Sequence, residues 1–121
     1  MRTRADVITE ITLESGIVSV DEAGYLIDTN AWTPDFARYL AAQEGIELGD
    51  LHWDVFAHMR AYFELNAIAM DQRFILKFLA KRFNTNKAGA KEKLFELFPY
   101  GYIKQAVKLA GMRQPRAWST G

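Results

Sequence analysis

His52 and His58 are the first side chains to weigh for chemistry, because imidazole binds metal ions and moves protons near neutral pH. Metal-binding pairs on a helix sit three or four residues apart on one face. These two are six apart, so they point in different directions. His52 follows Asp50-Leu51 at the start of a helical stretch, where it fits a capping region. Carboxylates recur four residues apart in Asp50/Asp54 and in Glu92/Glu96, which suits solvated helix faces better than a glycosidase-type acid pair. Gly45 and Gly49 stand alone, with no lysine after them in the pattern of a phosphate-binding loop. The 121 residues include no cysteine, which excludes disulfides, zinc–thiolate sites, iron–sulfur ligation and cysteine nucleophiles. No metal or cofactor is expected, nor a catalytic centre.

Cationic side chains form the clearer pattern. Arg73, Lys77 and Lys81 are spaced by four, one continuous stripe on a helix, and Arg82 flanks it. Lys104 and Lys108 repeat the spacing near the C-terminus, and Arg113 and Arg116 follow beside Trp118. These nine residues are the candidate partner-binding set. The formal charge of zero hides an asymmetry: residues 1–68 carry 4 basic and 12 acidic side chains, residues 69–121 carry 11 basic and 3 acidic. Either the two halves attract each other within the fold, or a basic face meets an acidic partner. Two short helices around a break, one with a basic face, also have the outline of a helix-turn-helix reader of DNA. Trp118 among arginines suits an anchor in a protein pocket.

The elements that must position these residues read as a single, mainly helical domain over 1–121. Residues 1–8 read as a disordered start. Thr9–Leu13 and Ile17–Val20 are β-prone runs around Glu14-Ser15-Gly16, a hairpin signature, and Asp21-Glu22-Ala23-Gly24 is a second turn. Thr33-Pro34 starts a helix that carries Phe36 and Leu40 and ends at Gly45. Asp50 is the expected cap of a second helix with Trp53, Phe56, Met59 or Arg60, and Phe63 on one stripe. A third carries Phe74, Ile75, Phe78 and Leu79 up to Asn84-Thr85-Asn86. A fourth runs from about Ala88 to Phe98, burying Leu94, Phe95, Leu97 and Phe98. After Pro99-Tyr100-Gly101 a fifth covers about Tyr102 to Ala110, and residues 112–121 form a flexible arm. No apolar run approaches the roughly 20 residues of a membrane span, and Met1–Asp6 leads into no signal-like segment. The expectation is a cytoplasmic protein that does not engage a membrane.

Five stretches carry a family resemblance: VDEAGYL (Val20–Leu26), HWDV (His52–Val55), MRAYF (Met59–Phe63), LFELFPYGYIKQAVKLAG (Leu94–Gly111) and Gln114-Pro115. Together, from about Ile11 to Pro115, the chain resembles the DsrC/TusE family, most specifically over Leu97–Gly111. The resemblance implies an N-terminal hairpin on a compact bundle of about five helices, with a flexible C-terminal arm. It implies a place in sulfur relay: one branch docks on dissimilatory sulfite reductase, the other passes persulfide sulfur toward tRNA thiolation. It also implies scaffold residues Trp53, Arg60, Pro99, Gly101, Lys104, Gln105 and Gly111. The family's essential cysteine lies on the arm, and the sulfite-reductase branch has a second on the last helix. Those positions are Trp118 and Val107 here, eleven residues apart, the family's spacing. Arg113 and Ala117 also depart from the family's proline and glycine, and the chain runs on through Ser119-Thr120-Gly121. A persulfide carrier needs a thiolate, which neither valine nor tryptophan supplies. The expected function is therefore a non-carrier binding or regulatory module, with a protein of a sulfur-relay or sulfite reductase system as partner. DNA-binding regulator and non-reactive subunit of a relay complex are the alternatives.

Overall fold

The computed structural model describes residues 7–113. The expected disordered start, apart from Val7 and Ile8, and the arm from Gln114 onward lie outside the described residues.

The hairpin forms where the β-prone runs stand. Strands β1 (Thr9–Leu13) and β2 (Gly16–Val20) pair antiparallel, Ile11 opposite Val18 and Thr9 opposite Val20. Alternation decides its orientation: Val18 and Val20 face the core while Ile17 is exposed. The second turn closes as Gly24 donates to the Asp21 carbonyl at 3.0 Å, and the Asp21 carboxylate accepts the amides of Ala23 and Tyr25. A short 3-10 turn, Thr29–Ala31, leads into helix α1 (Pro34–Glu44). Thr33 holds the N-cap position, but its hydroxyl pairs with Ser15 at 3.0 Å instead of capping, which ties the hairpin turn to the helix start.

Helix α2 (Asp50–Asn66) corrects one expectation. Its N-cap is Gly49, not Asp50, which becomes the first helical residue. The capping side chain is His52: its Nδ1 accepts the Gly49 amide at 3.1 Å. The other ring nitrogen, Nε2, therefore carries the proton and donates to the Leu97 carbonyl at 2.9 Å. Helix α3 (Gln72–Arg82) starts on Asp71 and helix α4 (Lys87–Leu97) on Asn86, each with a carboxylate or amide oxygen accepting a backbone amide. Phe95, expected in the core of α4, is instead 51% exposed; Ala90 and Leu94 are the buried positions of that helix. Among the described residues no helix is long and apolar enough to cross a membrane.

The last helix, α5 (Tyr102–Val107), is the axis of the bundle. Lys104 is the exposed residue of its six; Tyr102, Ile103, Gln105, Ala106 and Val107 are all buried, as are Leu109, Ala110 and Met112 beyond it. Apart from Lys104 the helix has no solvent-facing side chain, so the rest of the fold packs around it. It begins with π-type bonds, Ala106 donating five residues back to the Gly101 carbonyl at 3.4 Å. Gly101 enters at φ 92°, which suits glycine, and a proline two residues earlier bars continuation from α4. Met112 is fully buried, so the packed body reaches one residue into the stretch read as an arm; Arg113 is exposed.

Gly111 closes the helix at φ 80°, and an added Cβ would sit 2.7 Å from Trp32 Cγ. Gly111→Ala should lower unfolding free energy by about 3 kcal/mol, combining left-handed strain with overpacking. Urea denaturation checks this, and a loss near zero would remove the close approach from the account. Tyr25 gives a pH signature. Its hydroxyl donates to the Ile103 carbonyl at 2.9 Å, and burial first, then Asp21 and Glu44, pushes its pKa from 10.0 to about 12. The folded state thus holds this proton more tightly, and the associated stability is complete below pH 10 and lost as pH climbs toward 12. The slope approaches about 1.4 kcal/mol per pH unit for this one group. Tyr25→Phe should cost about 1 kcal/mol at neutral pH and flatten that part of the alkaline limb. Denaturation midpoints measured from pH 8 upward, as a ~0.5-unit series, decide the matter; an unchanged slope in the variant contradicts it.

Candidate functional site

The end of the chain that holds Val107 is positioned by three groups of polar contacts. On one side, Glu44 in the last turn of α1 reaches the last helix. Its Oε1 accepts from Gln105 Nε2 at 2.7 Å, and its Oε2 lies 3.4 Å from Lys108 Nζ. Gln105 has no exposed surface, and its own oxygen accepts the Tyr100 amide at 3.0 Å, so the side chain is satisfied at both ends. The Lys108 ammonium also stands 5.5 Å from the Tyr25 ring centre.

On the other side, the outgoing carbonyls of the helix are collected. Trp32 Nε1 donates to the Leu109 carbonyl at 2.8 Å. Arg60, from the middle of α2, donates through NH1 to the Ala110 carbonyl at 2.8 Å and through NH2 to the Thr29 carbonyl at 2.9 Å. Its guanidinium stacks over the Trp32 ring, 4.6 Å from the centroid. Burial holds the Arg60 pKa below its usual value, with Glu64 acting in the opposite sense. The third group is Tyr102, whose hydroxyl donates to the Met70 carbonyl and whose pKa burial drives far upward.

Val107 sits inside this frame with no exposed surface, its carbonyl accepting the Met112 amide at 3.0 Å. Aliphatic carbon in a closed core neither binds nor transfers sulfur. A thiol in the same place would face apolar neighbours, which disfavour the thiolate.

The candidate cations divide into separate places. Lys104 is exposed on α5, while Lys108 is mostly covered and engaged with Glu44. Arg82 pairs with Asp54 of α2 at 2.8 Å. Arg73 pairs with its helix-capping neighbour Asp71 at 3.3 Å. Lys77 and Lys81 stay on the outer face of α3, Lys77 5.8 Å from the Phe74 ring centre. Arg113 is exposed where the described chain ends, and Arg116 and Trp118 lie outside the described residues. His52 is spent on capping and His58 stacks on Phe78 at 4.5 Å.

Three contributors escaped the reading of the sequence. Glu44 carried a faint signal: an acid in the last turn of a helix opposes the helix dipole, so it implies a partner elsewhere. Trp32 and Tyr25 carried none beyond their type, since a donor at the end of an apolar body says nothing of which carbonyl it meets.

Residues 12–117 match the family model described as DsrC like protein. Sulfurtransferase TusE of Pectobacterium atrosepticum is 35% identical over 105 residues, covering 87% of this chain and 95% of that protein. Sulfurtransferase TusE of Salmonella typhimurium is 39% identical over 106 residues, with the same coverage. The oxidized gamma-subunit of the dissimilatory sulfite reductase (DsrC) from Archaeoglobus fulgidus superposes with a TM-score of 0.79 at 28% identity, over 91% of this chain and 99% of that one. DsrC of Allochromatium vinosum gives 0.79 at 35% identity, over 93% and 99%. Fold and sequence agree with these relatives along nearly the whole length, and the chain belongs to the DsrC/TusE family of sulfur-relay proteins.

Proposed function

We propose that this protein is a docking module of sulfur metabolism that keeps the family scaffold and does not itself carry sulfur. Its partner is a protein of a sulfur-relay or sulfite reductase system, as the relatives' names indicate, and its role there is regulatory or that of a non-reactive subunit. The observation that carries the reading is the composition: 121 residues without one cysteine, in a family of sulfurtransferases. Persulfide forms when a thiolate attacks a sulfur donor, and no side chain of this chain offers that nucleophile. By the resemblance, the two family positions fall at Val107, closed in the core, and at Trp118. Docking itself needs no thiol. Arg113, Arg116 and Trp118 supply residue types that dominate interface energetics, and in this reading they enter the partner where relatives insert their reactive arm. The DNA reading has less to stand on, because two of its cations, Arg82 and Lys108, are already ion-paired within the fold.

Intact-mass measurement after incubation with a small-molecule persulfide donor should show no sulfur adduct on the wild-type chain. Trp118→Cys should become modifiable, and Val107→Cys should react at least roughly tenfold more slowly because its position is closed to solvent. A covalent sulfur adduct on the cysteine-free chain would end the non-carrier reading. Truncation after Arg113 leaves buried Met112 in place, so the packed body is intact. Binding of that truncated chain to purified sulfite reductase or relay proteins should weaken by about tenfold or more. Undiminished binding would take the arm out of the interface.

A further inference from the structure

Between α2 and α3 lies an open cleft of about 570 Å³ whose wall is mostly apolar: Tyr62, Leu65, Met70, Phe74 and Phe78. Leu65 is 86% exposed at its edge, and Ile68, in the loop just beyond, is 60% exposed. A second groove of about 660 Å³ runs along the other side of α3 and shares Phe74 and Lys77 with the first. The charged groups on the two walls are all cationic: Lys77 and Lys81 on the first, Arg73, Lys77 and Lys87 on the second. No carboxylate is among the lining residues of either, although Asp71 lies against Arg73.

We infer that this surface receives an acidic amphipathic helix of a partner protein. The inference rests on the docking reading above in needing a protein partner, and adds the surface and the chemistry that recognises it. Size agrees: the 11 residues of α3 span about 16 Å, room for roughly three turns of a helix lying alongside. Apolar side chains spaced by three and four fill the cleft between Leu65 and Phe78. Carboxylates on the flanks of the same helix meet Lys77 and Lys81. Charge selects the sign of the partner and speeds encounter, while burial of the exposed leucine and aromatics supplies affinity. A phosphate backbone would meet the lysines but leave Leu65, Phe74 and Phe78 without a use, which is why a protein segment fits better than nucleic acid.

The test is a titration of the full, isotope-labelled chain followed by amide shifts. The probe is a synthetic helix of about five turns with leucine on one face and glutamate on the other. Shifts confined to α2 and α3, with micromolar-order affinity, are the expected result. Leu65→Ser and Phe74→Ser, both at exposed positions, should each weaken binding about tenfold, and Lys77→Glu with Lys81→Glu should do the same and remove most of the salt dependence. Four outcomes overturn the inference. They are an absence of shifts in the cleft, equal binding of a scrambled peptide, tighter binding of a DNA duplex insensitive to Leu65→Ser, and self-association abolished by Leu65→Ser. Sulfur labelling of the wild-type chain would sink the non-carrier reading while leaving the cleft result standing.

Discussion

A helix buried on all but one side cannot leave its end groups to water, and that constraint organises this protein. The last turn of any α-helix has carbonyls without intrahelical partners. On α5 and its continuation those carbonyls lie within the packed body, where each unmet acceptor costs about 1–3 kcal/mol. Trp32 and Arg60 meet two of them, at Leu109 and Ala110. These donors come from the loop before α1 and from the middle of α2, so a local demand of the helix end is answered by chain segments far away in sequence. Arg60 reaches a third carbonyl at Thr29 and stacks on Trp32, which locks the donors to each other. Gly111 belongs to the same arrangement: without a side chain there, the Trp32 ring can lie against the backbone.

The arrangement explains how the fold holds together without a cysteine. Nothing that holds α5 in place depends on sulfur. Glu44 grips Gln105 and Lys108, Tyr25 takes the Ile103 carbonyl, and Tyr102 takes that of Met70. Val107 contributes volume to the core and no polar contact from its side chain. Position and reactivity are therefore separable in this scaffold. A hydrophobic residue at 107 keeps the axis helix packed, and residues 109–112 are fixed by partners of their own.

How much of this the sequence discloses follows from the range of the interaction involved. Hairpin, turn at Asp21–Gly24, Pro34 start and Gly45 stop are local, written in neighbouring residues, and all stand where the chain indicates. Helix periodicity found Phe56 and Met59 in the interior of α2 and missed His52 and Val55, and it left Met59 and Arg60 as alternatives when both turn inward. An arginine there reads as surface until the carbonyls it serves are known. Phe95 failed for the opposite reason: α4 has apolar residues at adjacent positions, and periodicity does not say which of Leu94 and Phe95 faces in. The π winding after Gly101 and the reach of Gln105 to Glu44 have no local mark in the sequence. Of the candidate binding set, spacing correctly placed Lys77 and Lys81 on one outer face and could not reveal that Arg82 and Lys108 are engaged.

The segregation of charge along the chain is only partly spent inside the fold. Among the described residues two ion pairs join the acidic first half to the basic second, Arg82 with Asp54 and Lys108 with Glu44. The first is nearly half exposed on both sides and contributes at most about 1 kcal/mol. The second is mostly covered, and its value lies in orienting α5 more than in net stability. Residues beyond 68 carry 11 basic side chains, more than these two pairs use. Of the remainder, Arg73, Lys77, Lys81 and Lys87 line the two grooves along α3, which also hold exposed Leu65 and Phe74. Solvated lysines alone would need no apolar neighbours, and an apolar patch alone would need no common sign of charge. Their coincidence on one face, opposite in character to the acidic N-terminal half, is what a surface shaped by a partner requires.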